Sequence, residues 1–337
     1  MLNAYGTANG CLTGLAATVG GEVPADAVWL DLVEPTADEE AHVEASLGID
    51  IPTREELAEI EASSRLYQED GAVFMTANLI RRGDNDQPES SPVTFIVKGN
   101  LLVTIRYHHP QAFPVYVKRA MKPQTTAMTG WGVFISLLEA VVDRAADHLE
   151  RVGQIVDDTS RKTFGTGRLM GGAATRPLAR PRGVNLEVLI QNIGEEGDFT
   201  SKMRESLVSI GRVVAFAQAI FDQLKQSREM KDNRARIKIL QRDIQSLTDH
   251  ASFLSGKISF LLDAVLGLIS IEQNGIIKIF SVAAVVFLPP TLVASIYGMN
   301  FHMMPELSWE YGYPVAIGLM ILSAILPWLY FKQKGWL

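Results

Sequence analysis

The chain has 337 residues, of which 47% are hydrophobic, and its formal net charge at pH 7 is -7. This length allows one soluble domain of ordinary size together with a membrane anchor. The negative charge argues against a nucleic-acid binder, whose phosphate contacts need clustered Lys and Arg, and it favours a cationic partner. Cys11 is the sole cysteine, which excludes an internal disulfide framework and fits a reducing compartment.

Residues 1–130 are predicted to form an α/β domain. Thr36 is predicted to cap one helix, and Thr53 with Glu56 three residues later predicts a second N-terminus. Short β-branched runs predict strands at residues 28–32, 72–76, 93–97 and 101–105. A Gly-Asn turn between the last two strands predicts a hairpin.

Residues 131–275 are predicted to form a helical bundle and a stalk helix. Helical patterns cover residues 133–161 and 186–232, and strand signals are absent there. Between them, residues 163–183 are rich in Gly, Pro and Arg, which predicts a flexible insertion.

A seam of apolar residues then recurs at spacings of three and four for more than four heptads. No proline interrupts the segment between residue 231 and Pro289, so one helix on the order of 100 Å long can run from about residue 231 into the membrane span. Either the chain's own helices or further copies of the chain must cover the seam. Its members are Ile237, Leu240, Ile244, Leu247, Ala251, Leu254, Ile258, Leu261, Val265 and Leu268.

Two apolar stretches, residues 276–297 and 313–331, are each close to the roughly 20 residues that cross a lipid bilayer. The loop between them, residues 298–312, contains no Lys or Arg, whereas a basic tail follows at residues 332–337. The positive-inside bias therefore places the C-terminus in the cytoplasm, and two spans return the N-terminus there. Residues 1–20 lack the pattern of a cleavable signal.

The first span carries a stripe of mostly small and polar residues, which in a membrane faces either a tightly packed helix or water. Two spans cannot enclose a water-filled path, so an ion path would need several copies in a ring. The stripe consists of Asn274, Ile277, Ser281, Ala284, Leu288, Thr291, Ser295 and Gly298.

Four short motifs occur together from the end of the first span to the end of the chain. Tyr297-Gly298-Met299-Asn300 ends the first span, and Met304-Pro305-Glu306-Leu307 follows in the loop. Tyr311-Gly312-Tyr313-Pro314 opens the second span, and the sequence YFKQKGWL ends the chain. Together they resemble the signature of the CorA-type magnesium and cobalt transporters, the two-span family with a GMN motif.

The resemblance implies an α+β membrane protein that forms a funnel-shaped homopentamer in the bacterial inner membrane. A cytoplasmic α/β domain leads to a long coiled stalk helix, which continues into the pore-lining first span, and the second span is peripheral. The implied function is channel-like uptake of Mg²⁺, and also of Co²⁺ and Ni²⁺. The membrane potential would drive it and intracellular Mg²⁺ would gate it, without an organic cofactor.

The resemblance also assigns roles to residues. Gly298, Met299 and Asn300 form the selectivity filter, and the Asn300 carboxamides accept hydrogen bonds from the water shell that Mg²⁺ retains. Glu306 and Glu310 attract cations at the periplasmic mouth, and Asp263 contributes to a regulatory metal site. The pore lining and gate comprise Asn274, Ile277, Phe280, Ala284, Leu288 and Thr291.

Two alternatives stay open. The first is transport of zinc or another transition metal on the same scaffold, for which Met299 is unfavourable. The second is a membrane-anchored cytoplasmic sensor or scaffold, which gives no reason for a polar stripe inside the span. An enzyme is not expected, because no nucleophile, base and orienting group occur at a convincing spacing.

Overall fold

The structure, a computed structural model, describes residues 1–16, 21–58, 65–82, 88–123, 128–164, 186–223, 228–299, 304 and 309–336. The chain forms two compact units, Met1–Leu261 and Leu262–Leu337. The predicted insertion at 163–183 lies outside the described residues from residue 165 onward.

A seven-stranded sheet forms in the first unit. Its strand order is β2-β1-β3-β7-β6-β5-β4, and all neighbours are antiparallel except the parallel pair β3 and β7. The four predicted strands are confirmed as parts of β3, β5, β6 and β7. The strands are β1 Leu2–Ala8, β2 Cys11–Leu15, β3 Ala27–Val33, β4 Leu66–Glu69, β5 Ala72–Arg82, β6 Pro88–Lys98 and β7 Leu101–Arg106.

The strands β1, β2 and β4 were not predicted. Asn9 and Gly10 both have positive φ in the turn between β1 and β2, as do Asp70 and Gly71 between β4 and β5. Asn-Gly and Asp-Gly pairs are the turns that two-residue hairpins favour. These two dipeptides were therefore a sequence signal for both hairpins.

Seven helices among the described residues complete the structure. Thr36 accepts from the Glu39 N–H and the Glu39 carboxylate accepts from the Thr36 N–H, so the predicted cap is confirmed. Thr53 and Glu56 make the same reciprocal pair. The helices are α1 Ala37–Leu47, α2 Arg54–Ala58, α3 Ala112–Ala120, α4 Gly130–Phe164, α5 Leu186–Gln223, α6 Arg228–Tyr297 and α7 Gly312–Gln333.

Both faces of the sheet are covered. On one face, Val43 of α1 packs over Leu30, Leu32 and Ile105. On the other face, one continuous apolar core joins the sheet to α3, α4, α5 and the first turns of α6. The sheet is therefore the middle layer of an α/β/α arrangement.

The heptad seam of α6 packs against the chain's own helices within the first unit. Ile237, Leu240 and Ile244 lie in the same core as residues of α4 and α5. A Cβ added at Gly197 or Gly211 of α5 would lie 3.4 Å from a methyl group of the seam, so α5 runs directly against the seam at both positions. Of the two ways to cover the seam, its own helices are therefore the one observed.

A buried polar network joins β3 to β7. The Arg106 guanidinium donates to both Asp31 carboxylate oxygens, at 3.0 and 2.9 Å. Thr104 donates to Asp31 at 2.8 Å and accepts from the Trp29 indole N–H at 2.9 Å. Every charge in the network has a partner, as buried charges require.

His108, at the end of this strand, predicts a pH dependence of stability. Burial, with the nearby Arg106 and Arg81 guanidiniums and His109, lowers the pKa of His108 to about 4. The unfolded chain keeps a pKa near 6.5 and binds a proton that the folded chain excludes between these values. We therefore expect the free energy of unfolding to fall by about 3 kcal/mol as the pH drops from 6.5 to 4.

Thermal unfolding across this pH range measures the effect of His108. The variant His108→Leu should have a flatter profile than the native chain. His250→Leu, at an exposed position of α6, should retain the native slope. Identical profiles for all three proteins would contradict the assignment.

Candidate functional site

The second unit consists of two helices that are long and apolar enough to cross a membrane. In the most apolar 18-residue segment of each of these helices, α6 and α7, only 6% of the residues are buried inside the chain. The core helix of a soluble protein would be mostly buried, so this exposure favours lipid or further protein as the surroundings.

One stripe of each helix is buried or half-buried. Val282 is 5% exposed and Ala316 is 6% exposed. The Lys278 ammonium lies 5.8 Å from the centre of the Trp336 ring, which brings the start of the first span near the end of the second. The stripe on α6 comprises Gly275, Val282, Val286, Val293 and Tyr297, and that on α7 comprises Gly312, Ala316, Met320, Pro327 and Phe331.

The predicted pore residues lie on the other side of α6. At about 100° per residue, the centre of their stripe is opposite the half-buried one. Ile277, Phe280 and Leu288 are 61%, 71% and 70% exposed. Asn274, Ala284 and Thr291 are exposed as well. The face predicted to line a pore is therefore not used for packing within the second unit.

Two prolines interrupt the backbone hydrogen bonding of this span. Pro289 and Pro290 have no N–H, so the carbonyls of Val285 and Val286 lack their usual donor four residues on. Thr291 donates its hydroxyl to the Phe287 carbonyl at 2.7 Å. The lone pairs of the Thr291 oxygen stay available as acceptors on the exposed face.

The described part of the predicted filter is the end of α6. Gly298 donates to the Ala294 carbonyl at 2.9 Å, and Met299 donates to Ile296 at 3.2 Å. A Cβ at Gly298 would lie 3.2 Å from the Ala294 carbonyl oxygen, a tight contact with the preceding turn of the helix. Asn300, the third filter residue, lies outside the described residues.

The predicted acids differ in their surroundings. Glu310 is exposed beside Trp309 and Tyr311, whose rings contact edge to face at 6.4 Å. Glu306 lies outside the described residues. Asp263 is exposed on α6, and no ion pair of Asp263 occurs in the described part of the chain. A group of three His, Cys, Asp or Glu side chains able to hold a metal is likewise absent among the described residues.

The chain combines a sheet-containing unit with two apolar helices, one of them part of a 70-residue helix, and this is the organisation of a membrane protein with two candidate spans. The family model described as "CorA-like Mg2+ transporter protein" matches residues 24–171 and 187–333. The chain therefore belongs to the CorA family, which confirms the resemblance seen in its motifs.

Individual proteins agree with this assignment. The chain is 37% identical to the magnesium transport protein CorA of Escherichia coli strain K12 over 341 aligned residues, which cover 100% of both chains. It is 38% identical to the magnesium transport protein CorA of Salmonella typhimurium, over 93% of this chain and 92% of the relative. The chain is also similar to the complete structure of the CorA magnesium transporter from Methanocaldococcus jannaschii, with a TM-score of 0.68 and 17% sequence identity. The match covers 100% of this chain and 99% of that chain, and it supports the fold alone.

Proposed function

We propose that several copies of this chain form a passive, channel-like path that carries Mg²⁺ into the cell. The observation that carries the proposal is the exposed stripe on the first span, opposite its packing face and ending at the GMN signature. Full-length similarity to magnesium transport proteins supports the choice of ion. Co²⁺ and Ni²⁺, divalent cations of similar size, are expected to follow the same path.

The membrane potential is sufficient to drive this uptake. Each elementary charge that crosses 100 mV gains about 2.3 kcal/mol, so a divalent ion gains about 5 kcal/mol. A bacterial inner membrane with both termini in the cytoplasm gives the required direction. The loop without basic residues then faces outward, and the lysines at 332 and 334 face inward.

Selectivity is proposed to come from the water shell of the ion. Mg²⁺ loses its waters reluctantly, so a filter that hydrogen-bonds these waters can admit the ion without stripping them. A ring of Asn300 carboxamide oxygens supplies such acceptors, and Thr291 supplies further ones below it. Rings of Leu288, Phe280 and Ile277 are the proposed apolar gate, which closes by excluding water.

Cysteine accessibility tests whether the exposed face of the first span lines the ion path. In a Cys11→Ser background, Ala284→Cys places a thiol on the proposed pore face, and Val293→Cys places one on the half-buried face. A cationic, membrane-impermeant thiol reagent should reduce Mg²⁺ influx about tenfold or more in Ala284→Cys, because a fixed positive charge in the path repels Mg²⁺. Val293→Cys should be unaffected, and equal inhibition of both would contradict the proposal.

Self-association into a homopentamer is proposed along α6. On the side of the helix away from the seam, Ile239, Phe253 and Phe260 are 58%, 63% and 62% exposed. Their spacing of 14 and 7 residues aligns them on one face. Large exposed apolar side chains in this register fit a second copy of the same helix.

The mass of the assembly in detergent tests this interface. The native chain should have five times the mass of one copy. Phe253→Glu with Phe260→Glu should dissociate it, because burial of each phenyl ring is worth about 1.5–3 kcal/mol. Val208→Glu on α5, which also changes an exposed apolar residue, should leave the mass unchanged. A stable pentamer in the double variant would overturn the interface.

Regulation is proposed to follow from the same assembly. Asp263 is exposed, so its carboxylate is available to a neighbouring copy in such a ring. Intracellular Mg²⁺ bound between copies would hold the closed ring, and its loss would loosen the ring.

A further inference from the structure

A basic cavity lies inside the first unit, between β5, α4, α5 and the connection that follows β7. Its volume is about 130 Å³. A cavity of about 150 Å³ can hold a molecule of the size of benzene, so this one has room for a phosphate or a small carboxylate. The basic side chains that line it are Arg81, Arg144, His148 and Arg151, and no acidic side chain lines it within the described part of the chain. Positive charge is thus concentrated here in a chain whose net charge is negative.

Arg144 has an unused donor at this cavity. Its Nε is buried and has no hydrogen-bond partner among the described residues. Its other nitrogens make only long contacts, at 3.3 Å to the Gln111 side-chain oxygen and 3.6 Å to Asp147. A buried N–H without an acceptor costs free energy. The terminal N–H groups, which make only these long contacts, are the donors that can turn to an oxygen atom in the cavity.

The charges around the cavity do not cancel. Asp147 pairs with Arg144, and Glu89 pairs with Arg81 at 2.6 Å. Arg151 is exposed, and no ion pair of Arg151 occurs in the described part of the chain. The His148 ring contacts the Phe199 ring edge to face at 5.6 Å, which holds the imidazole in place. One guanidinium therefore remains without a balancing carboxylate.

Apolar side chains also line the cavity. They belong to β5, α3, α4 and α5 and are buried or half-buried. A ligand with both an anionic group and a carbon skeleton would match this mixed lining. The apolar residues are Leu79, Ala112, Val141, Met203 and Ile210.

We propose that this cavity binds a small metabolite through an oxyanion, either phosphate or carboxylate. The Arg144 and Arg151 guanidiniums hold the oxyanion, because their planar N–H groups match its oxygens in pairs. The apolar lining residues pack against the rest of the ligand. All residues of the site belong to the first unit.

Calorimetric titration of the purified full-length protein tests the site. Inorganic phosphate and tricarballylate, a tricarboxylate, are titrated separately in magnesium-free buffer at constant ionic strength. We expect saturable binding of at least one of them at one site per chain. Tighter phosphate binding assigns the site to phosphate compounds, and tighter tricarballylate binding assigns it to carboxylates.

Two variants distinguish the site from general attraction of anions. Arg144→Gln with Arg151→Gln should weaken binding about tenfold or more, because two charge-assisted contacts are lost. Arg204→Gln, an exposed arginine of α5 outside the cavity, should bind like the native chain. Unchanged thermal unfolding of the double variant shows that it is folded. Absence of saturable binding to the native protein, or equal binding to all three proteins, would overturn the proposal.

Discussion

Replacement of Asn300 by alanine is expected to abolish Mg²⁺ influx. If five copies form the path, one substitution removes a whole ring of carboxamide acceptors. Each hydrogen bond contributes about 1 kcal/mol, so a ring of them accounts for a fall in rate of at least about 100-fold. The water shell of the ion then finds no acceptors at the mouth.

The measurement is the initial rate of Mg²⁺ entry into liposomes that contain equal amounts of each protein. Asn192→Ala, the same change at an exposed position of α5, is the matched control and should keep the native rate. The assembly mass of Asn300→Ala must equal that of the native chain, so that loss of the pentamer is excluded as the cause. A native rate in Asn300→Ala would remove the filter from the mechanism.

The second large effect is expected in the buried network. Asp31→Ala leaves the Arg106 guanidinium buried without its partner, since these side chains are only 3% and 9% exposed. Breaking a buried pair in this way costs about 3–5 kcal/mol. The free energy of unfolding should fall by that amount, with a clear drop in the melting temperature of the full-length protein.

A surface ion pair provides the control for Asp31→Ala. Asp198 pairs with Lys202 at 2.9 Å on α5, and its side chain is 54% exposed. Asp198→Ala should therefore cost no more than about 1 kcal/mol. Asp31→Ala combined with Arg106→Met, which also removes the unpaired charge, should recover part of the lost stability. Equal melting temperatures for Asp31→Ala and Asp198→Ala would contradict the role of the network.

Sequence patterns predicted the elements whose periodicity is strong. The seam from Ile237 to Leu261 is buried or half-buried throughout, because a period of three and four describes one face of a helix whatever covers that face. The helix caps at Thr36 and Thr53 could also be predicted from the sequence, since each depends on two residues only three positions apart. The identity of the covering helices could not follow from this pattern, because it depends on contacts distant in sequence.

The structural features that the sequence did not predict are short strands or contacts between residues far apart in the sequence. The strands β1, β2 and β4 have weak alternation, so only their turns, Asn9-Gly10 and Asp70-Gly71, carried a local signal. From the sequence alone, Arg106 at the end of a strand is expected to be exposed. The pairing of β3 with β7 places Asp31 beside it and buries both side chains. The basic cavity likewise gathers Arg81, Arg144 and Arg151 from two elements far apart in sequence.

The stripe of the first span was recognised because small and hydroxyl residues are unusual at regular spacing in an apolar helix. Its position opposite the packing face could not be predicted, because it depends on which side the second span covers. The exposure of Leu288 and the burial of Val282 give that orientation.

The most direct test of Mg²⁺ transport is entry of the ion into liposomes that contain only the purified native protein. Internal Mg²⁺ is kept low, and the interior potential is set either negative or to zero. We expect rapid entry that accelerates with the negative potential, and faster entry of Mg²⁺ than of Zn²⁺. Absence of Mg²⁺ entry by folded, pentameric protein would contradict the account: Zn²⁺ entry in its place would favour a transition-metal transporter, and no entry of either ion would favour a membrane-anchored sensor.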